Sequence, residues 1–153
     1  MLGIRHFLIA SGALVGSLFA AQAESQEPAS WIEGPVTAEV IRILDGDTVE
    51  VRAYPWPQHS VTVKVRLRGI DAPEIHSRCK TEKARGLQAQ EALARMLRNI
   101  GSVQLTNISG GKYYGRVLAN MEIAEGQDVS ASMLDADLVQ PYFGGKKPKA
   151  ACP

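Results

Sequence analysis

Apolar and polar residues alternate without a break from residue 61 to residue 68, in the segment VTVKVRLRGI. This period of two places Val61, Val63, Val65 and Leu67 on one face, which is typical of a strand that packs against a core on one side only. A strand satisfies its backbone donors and acceptors only by pairing with other strands. The chain is therefore expected to fold around a sheet.

The same strand ends in a group of charged residues. Arg66 and Arg68 lie on its other face, and the following turn contains Asp71 and Glu74 around a proline. A tight turn explains one Asp and one Pro. It does not explain a second carboxylate and two guanidinium groups, so we expect this end of the strand to contribute to a functional site.

Four further segments have strand character. Residues 36–44 and 48–53 alternate on either side of Asp45-Gly46, and an Asp-Gly pair is a strong hairpin signal. Residues 103–106 predict a short fourth strand. A fifth is marked by the alternating apolar residues Val117, Ala119, Met121 and Ile123.

Residues 81–100 change to a helical period, with apolar residues at Ala89, Leu93, Met96, Leu97 and Ile100. Thr81 and Glu82 suit a first turn, Gly101 suits the end, and Asp128 can cap a short C-terminal helix. The order βββαββ predicts an α+β, mainly β fold, the five-stranded OB-fold barrel, with a long helix after strand 3. A fold does not by itself specify a function.

The chain divides into four predicted segments. Residues 1–23 combine Arg5, an apolar run and Ala21-Gln22-Ala23, which predicts a secretory signal peptide, with a retained anchor as the alternative. Residues 24–35 form a polar lead-in, residues 36–143 the folded domain and residues 144–153 a basic tail. We therefore expect export to the periplasm or the extracellular space, with no stable membrane anchor after cleavage. The expected state is a monomer.

Charge and cysteine content limit the possible functions. The formal net charge of +1 falls to about 0 without residues 1–23, so any attraction for phosphates must come from local clusters of basic residues. The two cysteines, Cys79 and Cys152, are an even pair in an expected oxidising compartment. This pattern favours one disulfide, with two unbonded thiols as the alternative.

Four acidic residues fall in two turns of the predicted barrel, namely Asp45, Asp47, Asp71 and Glu74. In a small barrel these turns can meet at one end. Oxygen ligands without His or Cys suit a hard cation, Ca²⁺ or Mg²⁺. The alternative is that Asp45 only forms its hairpin turn and Asp71 only precedes a Pro turn. For Asp47 and Asp71 together we favour the metal.

Three motifs occur in order around the long helix: DGDTV at 45–49, RLRGIDAPE at 66–74 and YYGR at 113–116. Together they resemble the staphylococcal-nuclease (thermonuclease) family over most of residues 36–143. The resemblance implies an OB barrel with flanking helices. It also implies a sugar-nonspecific enzyme that hydrolyses DNA and RNA phosphodiesters with Ca²⁺ and leaves 3′-phosphates.

The resemblance also implies a role for each matching residue. Asp47 and Asp71 would bind calcium together with the backbone carbonyl of Ala72, which stands where many members have Thr. Arg66 and Arg116 would bind the scissile phosphate, and Glu74 would lie near the attacking water. Candidate substrate contacts are Tyr114, through its hydroxyl or by packing, and either Tyr142 or Phe143, by stacking on a base. Lys112 replaces the Asp that the family usually has before Tyr-Gly-Arg.

Two other classes of function remain open. A noncatalytic OB module that binds nucleic acid or protein shares the fold, but such modules typically lose the acids or arginines that this chain has. A calcium-stabilised structural domain would have no need of Arg66 and Arg116 in its site.

Overall fold

The computed structural model describes residues 30–145 and Cys152. The elements in chain order are β1 (Trp31–Ile32), β2 (Val36–Asp45), β3 (Thr48–Trp56), β4 (His59–Leu67), β5 (Gly69–Asp71), α1 (Lys80–Leu97), β6 (Val103–Gly110), β7 (Arg116–Glu122), α2 (Val129–Asp135) and β8 (Gln140–Tyr142). The predicted signal peptide, most of the lead-in and most of the basic tail lie outside the described residues.

Five strands close into a barrel. β2, β3 and β4 form an antiparallel meander, β6 pairs antiparallel with both β2 and β7, and β7 pairs in parallel with β4. This closed barrel with two helices confirms the predicted OB fold. The parallel pair β4–β7 is the seam that brings the first three strands against the last one.

The core follows from the alternating patterns. Val49, Val51, Val65 and Leu67 point inward and are almost completely buried, and the apolar face of α1 covers them with Ala89, Leu93 and Leu97. Burial of this kind stabilises a domain by about 25 cal/mol per Å² of apolar surface. Val61 was predicted to lie on the buried face, but it is 48% exposed. It pairs with Ala53 close to the β3–β4 turn, at the far end of the strand from Leu67.

Both helices begin near the predicted residues. α1 begins at Lys80 and ends at Leu97, three residues before the predicted end, because Arg98 is extended and Asn99 has a φ of 61°. α2 begins after Asp128, whose Oδ1 accepts a hydrogen bond from the backbone N–H of Ala131 at 2.7 Å. This contact confirms Asp128 as the N-cap.

Two short strands lie where the sequence indicated only irregular chain. β1 pairs with the edge of β6, and β8 pairs with β5, so that Tyr142 lies opposite Gly69. Strands of two or three residues are too short to show an alternating pattern. The β5–β8 pair has a structural effect, because it fixes the chain around Tyr142 beside β5, the strand that ends at Asp71.

Cys79 and Cys152 are joined by a disulfide with a Cα–Cα distance of 5.6 Å. The bond attaches Cys152 to the residue that immediately precedes α1. Within the described residues, no helix has the length and apolar character needed to cross a membrane.

Candidate active site

Two turns and one helix meet at one end of the barrel. The turn between β2 and β3 contacts the segment after β5, and a Cβ added to Gly46 would stand 2.7 Å from the Cβ of Ala89 and 2.8 Å from that of Ala72. The backbone N–H of Leu67 also donates to the carbonyl of Asp47 at 2.8 Å. Small side chains therefore bring the predicted acidic turns together.

The turns enclose a pocket of about 130 Å³. Its lining contains five of the charged site candidates, but not Asp71 or Arg68, and consists of Asp45, Asp47, Thr48, Arg66, Ala72, Pro73, Glu74, Ile75 and Arg116. Asp71 joins the same cluster through Arg66, with its Oδ1 2.6 Å from the Nη2 of that residue. Residues from three separate motifs thus meet in one place.

Asp47 is the most buried carboxylate of the cluster and is held from several directions. Its Oδ1 accepts a hydrogen bond from the Thr48 hydroxyl at 3.0 Å, and its Oδ2 accepts one from the Ala72 backbone N–H at 2.6 Å. Its own N–H donates to Asp45 Oδ1 at 3.1 Å. These contacts preorganise the side chain, and Asp45 forms the turn that positions it.

Arg66 bridges the two carboxylates that were predicted to hold a metal. Its Nη1 forms an ion pair with Asp47, its Nη2 forms one with Asp71, and only 13% of the side chain is exposed. Burial lowers the pKa of Arg66, while the carboxylates of Asp71 and Asp45 oppose that change. The space between Asp47 and Asp71 is therefore one that accepts positive charge.

The donor chemistry of this cluster fits a hard divalent cation. Carboxylate and carbonyl oxygens are the ligands that Ca²⁺ and Mg²⁺ prefer, and Asp47, Asp71 and Ala72 supply both kinds. In the part of the chain that the structure describes, no three His, Cys, Asp or Glu side chains form a ligand set by themselves. A bound cation would consequently need carbonyl or water oxygens beside the two aspartates.

Arg116 borders the same pocket from β7, and Glu74 borders it from the segment that follows β5. Arg116 is the first residue of β7 and pairs with Lys64 of β4, two residues before Arg66. Its guanidinium carbon lies 4.8 Å from the centre of the Tyr113 ring, a cation–π contact. Glu74 is exposed, and its Oε1 accepts a hydrogen bond from the backbone N–H of His76 at 3.0 Å. Its carboxylate can therefore reach solvent water.

A second depression of about 600 Å³ adjoins the first and shares Arg66 and Arg116 with it. Among the described residues, its remaining lining contains basic, aromatic and apolar residues and no acid: Leu67, Arg68, Gly69, Ile70, Lys112, Tyr113, Leu118, Tyr142, Phe143 and Gly144. We call this depression the basic groove. An acidic pocket and a basic groove thus meet at the two arginines.

The aromatic candidates occupy different positions. Tyr142 lines the basic groove and donates through its hydroxyl to the Gly145 carbonyl at 2.9 Å, and Phe143 lines the groove while 92% exposed. Tyr114 is fully exposed and lines neither depression, whereas Tyr113 lines the groove. Sequence reasoning missed Tyr113, because no periodic pattern in a glycine-rich loop tells which of two adjacent tyrosines lines the groove.

The fold and site define an OB-barrel protein with acids and arginines clustered in one pocket. Comparison with known proteins gives the same family: the profile described as "Staphylococcal nuclease homologue" matches residues 64–150. The chain is 34% identical to the Escherichia coli protein named Protein ParB over 124 residues, which cover 76% of this chain and 63% of that protein. It is 32% identical to Micrococcal nuclease of Shigella flexneri over 120 residues, which cover 74% and 62%.

These matches show that the chain belongs to the staphylococcal nuclease homologue family. The matched region spans less than two thirds of the length of either relative.

Proposed function

We propose that this protein is a nuclease that hydrolyses phosphodiester bonds in DNA and RNA with Ca²⁺ and leaves 3′-phosphates. The observation that carries the proposal is the meeting of Arg66, Arg116 and Glu74 with the Asp47–Asp71 pair at one pocket. Family membership and the resemblance to Micrococcal nuclease support it.

The two arginines would bind the phosphate that is cleaved. Hydrolysis adds negative charge to the phosphoryl oxygens in the transition state, and preorganised cations in a site with little water stabilise that charge strongly. A planar guanidinium group can donate two parallel hydrogen bonds to a phosphate, which an ammonium group cannot reproduce. Arg66 and Arg116 project from neighbouring strands at the boundary of the pocket and the groove. They can therefore bind one phosphate together.

Glu74 would act on the water. Its exposed carboxylate lies in the lining of the same pocket, so it can orient a water molecule or accept a proton from it. The water oxygen bonds to phosphorus and the bond to the 5′-oxygen breaks. The 5′-oxygen leaves with a proton, and the phosphate stays on the 3′-oxygen.

Asp47, Asp71 and the Ala72 carbonyl would hold Ca²⁺. When bound, this cation supplies Lewis-acid charge stabilisation and lowers the pKa of nearby water. The burial of Asp47 and its two hydrogen bonds support its role, because a preorganised ligand loses little entropy on binding. Mg²⁺ should support less turnover, because it demands tighter octahedral geometry and gives up its waters reluctantly.

The basic groove would bind the nucleic-acid strand next to the cleaved bond. Tyr142 or Phe143 can stack on a base, and stacking tolerates any base sequence. Tyr114 remains a candidate contact at the exposed rim. The chain would act as an exported monomer, in the periplasm or outside the cell, with the Cys79–Cys152 bond formed there.

The decisive experiment measures hydrolysis of DNA and of RNA by purified protein with Ca²⁺, with Mg²⁺ and with chelator. We expect cleavage of both substrates in Ca²⁺, little in chelator, and 3′-phosphate ends. Asp47→Asn should lose Ca²⁺ affinity in calorimetry, whereas Asp135→Asn, an exposed acid on α2, should not. Oligonucleotide binding without cleavage in any metal would instead favour a noncatalytic OB module.

A further inference from the structure

Arg68 connects three segments of the barrel with one side chain. Its Nη2 donates to the carbonyl of Asn107 at 2.9 Å and to the hydroxyl of Ser109 at 2.7 Å, with the carbonyl of Leu118 at 3.4 Å. Its backbone N–H also donates to the carbonyl of Ala119 at 3.0 Å. The residue thus joins the end of β4 to both β6 and β7.

The acceptors of Arg68 lie at an irregularity in β6. The pairing of β6 with β7 shifts register between Thr106 and Ser109, and Asn107 inside this bulge has a φ of 50°. Bulges disrupt the local ladder and leave backbone groups without their usual partners. Arg68 supplies a donor to one such group, the carbonyl of Asn107, and thereby fixes the bulge.

The bulge adjoins the part of β6 that pairs with the start of β7, where Arg116 lies. Immediately after it, Ser109 pairs with Leu118, and Gly111 donates to the carbonyl of Arg116 at 2.9 Å. Across the parallel seam, Leu118 lies opposite Arg66. Arg68 therefore contacts both the bulge and the strand pair that sets the separation of Arg66 and Arg116.

The charge of Arg68 is not used in an ion pair within the described part of the chain. Its side chain is half-buried and its contacts there are carbonyl and hydroxyl oxygens. Its Nε is buried and has no hydrogen-bond partner among the described residues. By contrast, Arg66 two residues earlier bridges two carboxylates. Because its acceptors are neutral groups on β6 and β7, Arg68 links these two strands to the end of β4 by hydrogen bonds.

We propose that Arg68 is a positioning residue, which holds Arg116 at the correct distance from Arg66 for both to bind one phosphate. This inference rests on the proposed nuclease function. Small displacements of groups that contact a reacting centre are costly, and a shift of 1 Å can lower a rate by about 100-fold.

The test compares Arg68→Gln with Arg68→Lys, Ser109→Ala and Arg52→Gln. Arg52 is an exposed arginine of β3, and Arg52→Gln serves as the matched control. Arg68→Gln should lower kcat by about 10-fold or more, with KM changed less than about twofold. Arg68→Lys should recover part of the lost kcat. Ser109→Ala, which leaves the charge of Arg68 in place, should lower kcat by a smaller factor. Unchanged kcat in both Arg68→Gln and Ser109→Ala would overturn the proposal.

A double-mutant cycle with Arg116→Ala separates positioning from general damage. Once Arg116 is absent, Arg68→Gln should cost little further turnover, because the two residues act through one interaction. Additive losses would contradict the proposal. So would a raised KM with a shallower salt dependence of binding, which would indicate direct contact between Arg68 and a substrate phosphate.

One readout does not depend on turnover. In ¹⁵N spectra of arginine side chains, the Arg116 Nε resonance should move in Arg68→Gln and stay in place in Arg52→Gln. An unmoved resonance would refute the positioning role even if the wild-type protein proved inactive. An inactive wild-type protein together with a moved resonance would refute the proposed function and support the positioning role of Arg68.

Discussion

Arg116 is the residue at which the acidic pocket, the basic groove and the Tyr113 ring meet. Its proposed role predicts that Arg116→Ala lowers kcat by about 10²–10³, the usual cost of removing one transition-state donor. Arg116→Lys should remain impaired, because an ammonium group lacks the two-pronged geometry. Kinetics with melting curves tests this, and Arg95→Ala on the exposed face of α1 is the control. A fully active Arg116→Lys would remove the two-pronged contact from the mechanism.

Arg66 should have opposite effects on catalysis and on metal binding. It already neutralises Asp47 and Asp71, so it competes with a cation for the same oxygens. In Arg66→Gln, turnover should fall by orders of magnitude, whereas Ca²⁺ affinity without substrate should rise by up to about tenfold, or 1.4 kcal/mol. Calorimetry measures the affinity directly.

Arg116→Ala is the control for the Arg66 experiment, because Arg116 forms no described ion pair with either aspartate. Its Ca²⁺ affinity should change much less. Weaker Ca²⁺ binding in Arg66→Gln would mean that the guanidinium group assists the cation site and does not compete with it.

At the scale of elements, α1 supports the turn of the pocket that carries Glu74. Gly86 packs against the turn that carries Glu74, and a Cβ there would stand 2.6 Å from the carbonyl oxygen of Pro73 and 3.1 Å from the carbonyl carbon of Glu74. These neighbours are backbone atoms, so they can move only if the whole turn moves. The helix therefore needs a glycine at this position for close contact, even though glycine weakens helices.

This packing predicts that Gly86→Ala lowers turnover more than stability. Alanine gains about 1 kcal/mol of helix propensity, and this gain offsets part of the strain from the displaced turn. We expect a small change in Tm and about a tenfold loss of kcat, the size that misplacement of a catalytic group can produce. Gly101→Ala is the control, since an added Cβ there meets no atom of the described residues within 4 Å. Normal turnover in Gly86→Ala would show that the turn is free to adjust.

The elements that the sequence predicted correctly are those with long periodic patterns. Four of the five barrel strands and α1 are such cases, whereas β6 was predicted only over residues 103–106 and extends to Gly110. Asp128 was recognisable because an N-cap has its own chemistry. β1 and β8 were missed, because these strands have no local sequence pattern and are defined only by pairing with β6 and β5, which are distant in the chain. The pocket residues were predicted by motif, but the Arg66 bridge and the contact of Tyr113 with Arg116 depend on tertiary packing that no single motif contains.

At the scale of the whole molecule, the disulfide links the start of α1 to a residue 73 positions later in the chain. Closing a loop of this length lowers the conformational entropy of the unfolded chain. In the chain-entropy model, the bond therefore stabilises the fold by about 4 kcal/mol. Reduction, or Cys152→Ser, should therefore lower Tm clearly while kcat stays near its wild-type value. Thiol counting of the native protein with melting in reductant tests this. Two free thiols in native protein, or an unchanged Tm on reduction, would contradict it.

The parallel seam between β4 and β7 also has a consequence for synthesis of the protein. A nascent chain that has been translated as far as the end of α1 already contains Asp47, Arg66, Asp71 and Glu74. It still lacks β7, the strand that carries Arg116. Contacts between positions so far apart form only after the intervening chain is available to close the loop. Under the proposed function, the RNA of the ribosome that makes this protein is a potential substrate. The active site is incomplete until β7 has been translated and released, so the ribosome does not meet a complete site before then.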